Sequence, residues 1–316
     1  MLEPDMSVWT GRVDTADGPT ALRWHQMVKP LAPDAPPGVV LIGFACDEGV
    51  RRNGGRVGAK DGPRAIRKAL ANLAWHRQLP VYDAGDVRCD DGDMEGAQVR
   101  LAEAVRNAFV AGHRPLVLGG GHETAWGTYQ GLMSFWSGAN VGIINVDAHF
   151  DLRDDEPGNS GTPFRQMADW CQICDRWFGY MALGISVPSN TRALFDRACA
   201  LEACWYLDQS LVPWNLDRVL ADVKAFADHV DCLYLSIDLD VLPGTVMPAV
   251  SAPAARGVAV ESVEAIIDAV VDTGKLFIAD VVELNPLYDI NGQGTRLAAR
   301  LVWHLLNTGK PDRKQP

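Results

Sequence analysis

The stretch Val141-Gly142-Ile143-Ile144-Asn145-Val146-Asp147-Ala148-His149-Phe150-Asp151 decides how this chain is read. Its first six residues form the short apolar run of a strand buried on both faces. Its last five switch to Asp-x-His-x-Asp. In an extended segment residues i, i+2 and i+4 share one side, so Asp147, His149 and Asp151 converge. An apolar strand ending in metal-competent side chains predicts a parallel sheet with its chemistry at the carboxyl ends of the strands.

Working outward, the same alternation recurs. Residues 39–44, 115–118, 180–185, 232–237 and 276–282 read as further strands, and residues 61–73, 95–111, 124–134, 214–228, 260–271 and 293–307 as helices. Apolar strands separated by helices predict an α/β fold with both sheet faces covered. Residues 1–37, proline-bearing and mixed, are expected to be an N-terminal extension packed on a single domain of residues 38–316.

Two more strands end in the same kind of segment. Gly119-Gly120-Gly121-His122-Glu123 follows 115–118, and Asp238-Leu239-Asp240 follows 232–237. With Asp147, His149 and Asp151 they offer two imidazoles and four carboxylates. Four carboxylates in one crevice repel one another unless cations neutralise them, and two divalent ions match that charge. Oxygen-rich ligation with two imidazoles favours Mn²⁺ and leaves Zn²⁺, Fe²⁺ and Co²⁺ open. Such a pair of ions lowers the pKa of a shared water, which predicts hydrolysis by a metal-bridging hydroxide. Gly119–Gly121 lacks the Lys and Ser/Thr of a phosphate loop and reads as a tight backbone turn. Cys171-x-x-Cys174 has no second half at zinc-ribbon spacing and reads as two unpaired thiols.

Composition narrows the class. Hydrophobic residues make up 47% of the 316, which excludes wholesale disorder. The net charge of −11, with no Lys/Arg-rich run, argues against nucleic acid or an anionic membrane as partner. No apolar stretch is long enough to span a membrane, and the acidic N-terminus lacks the apolar core of a signal peptide. Seven unevenly spaced cysteines fit reduced thiols and a cytoplasmic location.

Gly119–Glu123, Asp147–Asp151, Ser236-Ile237-Asp238-Leu239-Asp240 and Val281-Val282-Glu283-Leu284-Asn285-Pro286 together resemble the ureohydrolase superfamily of arginases, agmatinases and formimidoylglutamases. The resemblance implies a three-layer α/β/α arginase-like fold and two Mn²⁺ per subunit. It implies one ion on His122, Asp147, Asp151 and Asp238, and the other on Asp147, His149, Asp238 and Asp240. It assigns Glu283 to a cationic amidine or guanidinium, and it leaves a homo-oligomer open. Arginases carry a His in the loop after Asp-x-His-x-Asp; here Phe164 stands near that place. The loop Asn159-Ser160-Gly161-Thr162-Pro163-Phe164-Arg165-Gln166 and the segment Asp47–Arg56 resemble the formimidoylglutamase branch. That branch implies a small-molecule substrate, N-formimidoyl-L-glutamate, hydrolysed to L-glutamate and formamide in histidine degradation. An agmatinase or other guanidino hydrolase releasing urea is the alternative, and a metal-dependent binding protein without activity is a rival of another class. Asp151 is the candidate proton carrier. Arg51, Asn53, Arg153, Asn159, Ser160 and Arg165, with Arg52 and Arg56 beside them, are candidates for binding a substrate with two carboxylates, because a guanidinium fork matches a carboxylate.

Overall fold

The computed structural model describes residues 4–77 and 79–308; the expected extension and domain run past it at residues 1–3, 78 and 309–316. Among the described residues nine strands form one sheet: β1 (Lys29–Pro30), β2 (Val39–Ala45), β3 (Val81–Arg88), β4 (Arg114–Leu118), β5 (Val141–Val146), β6 (Gly179–Ile185), β7 (Cys204–Leu207), β8 (Cys232–Asp238) and β9 (Leu276–Val282). Their order is β1-β3-β2-β4-β9-β8-β5-β6-β7, and every ladder is parallel.

Side chains alternate across the strands, so the inner strands feed two cores. Val39, Leu41, Leu116, Leu118, Ile144 and Val146 join the core beneath α3 (Gly62–Leu70), α8 (Asp217–Asp228), α9 (Val260–Asp272) and α10 (Gln293–Asn307). Val40, Ile42, Val117 and Ile143 face the opposite core, under α4 (Met94–Val110), α5 (Thr124–Phe135), α6 (Pro163–Ile173) and α7 (Arg192–Ala200). The result is the α/β/α sandwich that the strand–helix alternation predicts. Two short helices complete it, α1 (Trp24–Met27) and α2 (Glu48–Arg52).

Several elements differ from the sequence reading. Strands β1, β3 and β7 and helices α1, α2, α6 and α7 are additional, and α3 ends at Leu70. In β3 the acids Asp83 and Asp86 interrupt the apolar run, which hides the strand. They are tolerated because Arg67 on α3 meets them at 2.9 and 2.6 Å and the Trp9 indole N–H donates to Asp83 at 2.8 Å. Helix α6 starts inside the stretch read as a loop, where Pro163 fits the first turn without losing a hydrogen bond. Phe164 and Arg165 therefore sit on a helix. The segment before residue 38 contributes β1 to the sheet edge and the fully buried Trp24 to the core.

The order β4-β9-β8-β5 matters most for function. The chain leaves β4 and re-enters the sheet at β5, and β8 and β9 later fill the gap. Register pairs Val146 with Ile237, Ile237 with Val281, and Leu118 with Val281. Four neighbouring strands thus end on one line, and the loops that follow them share one crevice.

Arg67→Ala is expected to leave Asp83, which is 1% exposed, buried without its charge partner. Loss of one member of such a pair costs about 3–5 kcal/mol, which urea denaturation would register. A loss below about 1 kcal/mol, the size of an exposed pair, would contradict this reading of the network.

Candidate metal centre

Each functional side chain is placed by the end of a strand. Asp147 follows β5 directly, Asp238 ends β8, and the pairing of Val146 with Ile237 sets these two acids side by side. A slip of one residue would turn Asp238 to the other face of the sheet. Both acids are oriented by backbone N–H groups two residues on: His149 N donates to Asp147 Oδ1 and Asp240 N donates to Asp238 Oδ1, each at 2.7 Å. These short Asx-type turns aim the remaining oxygens into the crevice. Asn145 on β5 adds a donor to Asp147 Oδ2 at 3.0 Å.

His122 and Glu283 come from the loops after β4 and β9. Gly120 lets these loops approach β2, since a Cβ there would stand 1.7 Å from the Cys46 carbonyl oxygen. The Glu283 backbone N–H donates to Gly120 O, and its Oε1 accepts the His122 N–H at 2.8 Å. Glu283 Oε2 is buried without a partner. Asp151 and Glu283 both hold positive φ, 48° and 69°, a strained region for a residue with a side chain.

The ligating atoms form two groups sharing Asp147. His122, Asp147, Asp151 and Asp238 make one; Asp147, His149 and Asp240 make the other. His122 Nδ1 lies 3.2, 2.9 and 3.0 Å from oxygens of Asp147, Asp151 and Asp238, and His149 Nδ1 lies 3.0 Å from Asp240. Asp238, expected to bridge both ions, stands in the first group and not in the second.

Electrostatics follow from this crowding. Burial pushes the carboxyls of Asp238, Asp151 and Asp240 upward, and their acidic neighbours add to it; Asp240 is pushed up to about 6, with His149 offsetting part of the effect. Burial acts the same way on Asp147, but His122 and His149 outweigh it and hold that carboxyl low. The charge of Asp240 raises His149 well above the ordinary imidazole range. For His122 burial works against protonation, and three carboxylates overcome it.

The residues fit divalent cations. His122 Nδ1 has three oxygens within reach, yet it is buried with no aligned hydrogen-bond partner. Nδ1 thus stands among three carboxylates at nearly equal distance, the place where a shared cation would take over from a proton. Oxygen donors with one imidazole per group suit a hard or borderline ion such as Mn²⁺.

A cavity of about 230 Å³ opens over the centre, lined by His122, His149, Asp151, Asp238, Asp240 and Glu283. Of the substrate candidates, Asn53, Arg153 and Ser160 line it, with Asn53 donating to Ser160 Oγ at 3.1 Å. Arg51, Asn159 and Arg165 do not. Arg51 pairs with Glu48 on α2, and Asn159 accepts from Gly161 N within its loop. Arg165 donates to the Arg153 carbonyl at 2.9 Å and pairs with Asp169 and Glu156. Phe164 is fully buried and sets its ring edge-on to His122, 5.2 Å between centroids. Cys171 packs against Tyr129 away from the centre. Ser189, Asn190 and Ser251 also line the cavity and carry no spacing pattern that marks them in the sequence.

Comparison with known proteins bears out the fold. The model of the arginase family matches residues 37–307. Formimidoylglutamase of Chromobacterium violaceum is 54% identical over 95% of this chain and 97% of its own. Crystalline formiminoglutamase of Trypanosoma cruzi with Mn²⁺ superimposes with a TM-score of 0.77 at 28% identity, over 85% of this chain and 92% of its own. Formimidoylglutamase of Bacillus subtilis, 21% identical, shares the fold with a TM-score of 0.83 over 94% of this chain and 93% of its own.

Cation binding here must displace protons held by the raised groups, the imidazoliums of His122 and His149 as well as the carboxyls of Asp238, Asp151 and Asp240. Affinity for Mn²⁺ is therefore expected to fall as pH drops, with Asp240 adding to the fall near about 6, and protons are expected to be released on binding. Calorimetry in two buffers of different ionisation enthalpy checks both, and affinity independent of pH would contradict it.

Proposed function

The chain belongs to the arginase family, and we propose that it hydrolyses N-formimidoyl-L-glutamate to L-glutamate and formamide at the centre of His122, His149, Asp147, Asp151, Asp238 and Asp240. The carrying observation is that near-full-length relatives sharing about half of its residues are formimidoylglutamases. The cavity supports the choice: it offers a buried free carboxylate oxygen on Glu283 and a cation on Arg153. A formimidoyl group is an amidinium, and the glutamate portion carries two carboxylates, so the substrate needs both signs of charge.

Two Mn²⁺ ions per subunit would sit on the two groups and, when bound, supply Lewis acidity and a water nucleophile near neutral pH. The chain's own residues do the rest. Glu283 receives the amidinium N–H donors on Oε2, its other oxygen being pinned by the His122 N–H. Asp151 accepts the proton released as water adds to the formimidoyl carbon and returns it to the glutamate nitrogen, because an unprotonated amide is a very poor leaving group. Arg153 receives a substrate carboxylate, with Asn53 and Ser160 as neutral donors beside it. Arg165 acts at one remove by holding the Arg153 backbone in place. Phe164, near the place in sequence where arginases carry a histidine, is buried against His122 and offers the cavity no polar contact.

The setting we propose is a reducing cytoplasm, with no nucleic-acid partner and with a homo-oligomer compatible with the reading. The negative charge and seven unpaired cysteines support it. Among the described residues no helix is long and apolar enough to cross a membrane.

Protein loaded with Mn²⁺ and given N-formimidoyl-L-glutamate, L-arginine and agmatine separately is expected to release formamide and glutamate from the first alone. Urea from either guanidine would overturn the assignment. Asp151→Asn should lower kcat by roughly 10²- to 10⁴-fold, the usual contribution of a proton carrier; near wild-type turnover would remove Asp151 from that role. Arg153→Ala should raise KM about tenfold with a smaller change in kcat, the lower end for a charged hydrogen bond because the side chain is half-exposed. An unchanged KM would place carboxylate recognition elsewhere.

A further inference from the structure

Behind the centre lies a buried chain of polar groups. Ser236 Oγ donates to Asp280 Oδ1 at 2.6 Å, and the Tyr234 hydroxyl donates to Asp280 Oδ2 at 2.5 Å. Ser236, Tyr234 and Asp280 are all fully buried, on the adjacent strands β8 and β9. His122 Nε2 stands 2.9 Å from Ser236 Oγ. The serine proton is already committed to Asp280, so the ring nitrogen must donate to the serine oxygen. Nε2 then carries hydrogen, and Nδ1 is the atom left for the crevice.

We propose that Asp280, acting through Ser236, is the positioning residue that fixes which nitrogen of His122 faces the metal centre. The proposal rests on reading the His122 group as a metal site. Its physical content is a choice of donor direction. Asp280 as a carboxylate can only accept, which forces the serine to donate away from the ring. Were Asp280 an amide, its N–H₂ could face Ser236, and the serine proton would turn to Nε2. The imidazole proton would then sit on Nδ1, among the ligand oxygens, and would have to leave before a cation could bind. Register holds the relay in place: Ser236 is paired with Asp280 across β8 and β9, and Tyr234 points to the same side as Ser236. An acid in the middle of the apolar run of β9 has no role in the core, and this relay gives it one.

The test is titration with Mn²⁺ of the wild type, Asp280→Asn and Ser236→Ala, followed by calorimetry and by the thermal melt of each metal-free protein. The wild type should bind two ions. Both variants should lose affinity at one site by roughly 10- to 100-fold, the range for outer partners of a ligating imidazole, and keep the other site. Equal weakening of both sites would mean a general structural defect, and wild-type affinity at both would dismiss the relay; either result overturns the proposal. If Asp280→Asn fails to melt cooperatively, Ser236→Ala decides, since it removes one oxygen only. In ¹⁵N-histidine-labelled protein loaded with diamagnetic Zn²⁺, the wild type should show a slowly exchanging proton on His122 Nε2. Its absence would also overturn the proposal. A wild type that binds no ion at all would instead sink the metal reading beneath it.

Discussion

Four carboxylates gathered at one line of strand ends are the constraint on which the rest of this structure depends. Two unit charges 4 Å apart repel by about 4 kcal/mol at an effective dielectric of 20, and Asp147 stands close to Asp151 and Asp238 in one group and to Asp240 in the other, with Asp147, Asp238 and Asp240 buried. Without ions, protonated His122 and His149 can offset part of this, as their raised basicity indicates, and cations would take the place of those protons. Two divalent cations would offset all of it. Burial strengthens both the repulsion and its remedy, which makes the centre costly without ions and tight-binding with them.

The fold carries that cost through its most rigid parts. The acids stand at the ends of central strands, flanked on both faces by apolar cores, and backbone N–H groups fix Asp147 and Asp238. Positive φ at Asp151 and Glu283 is held by hydrogen bonds of the neighbouring loops. Gly120 lets the loop carrying His122 lie against the end of β2. Recognition of substrate is built differently. Arg153 and Asn53 are exposed at the rim, with Ser160 buried beside them, and that exposure leaves room for specificity to vary without disturbing the metal groups.

The central sheet and the metal-competent side chains at its edge were legible in the sequence because they obey local rules. Long apolar runs between helical stretches marked six of the strands, and Asp-x-His-x-Asp marked three donors after one of them, although they come together through a turn with Asp151 at positive φ and not through an extended segment. The elements that escaped broke those rules for reasons visible only in three dimensions. In β3 two acids sit inside the sheet because Arg67 reaches them from a helix sixteen or more residues away. Helix α6 begins within a stretch whose Ser, Gly, Thr and Pro read as loop. Which arginine reaches the cavity was not legible, since Arg153 and Arg165 look alike in sequence and only their ion pairs separate them. Asp280 was hidden by the same logic as Asp83: an acid in an apolar strand means little until its partners are known.

The central claim is that the two ligand groups share Asp147 and so hold two cations as one coupled unit. Electron paramagnetic resonance of the protein with two equivalents of Mn²⁺ tests it most directly. The account predicts the multiline spectrum of an exchange-coupled pair, collapsing to a single-ion spectrum in Asp147→Asn. A six-line spectrum of isolated Mn²⁺ in the wild type, at full occupancy, would contradict it.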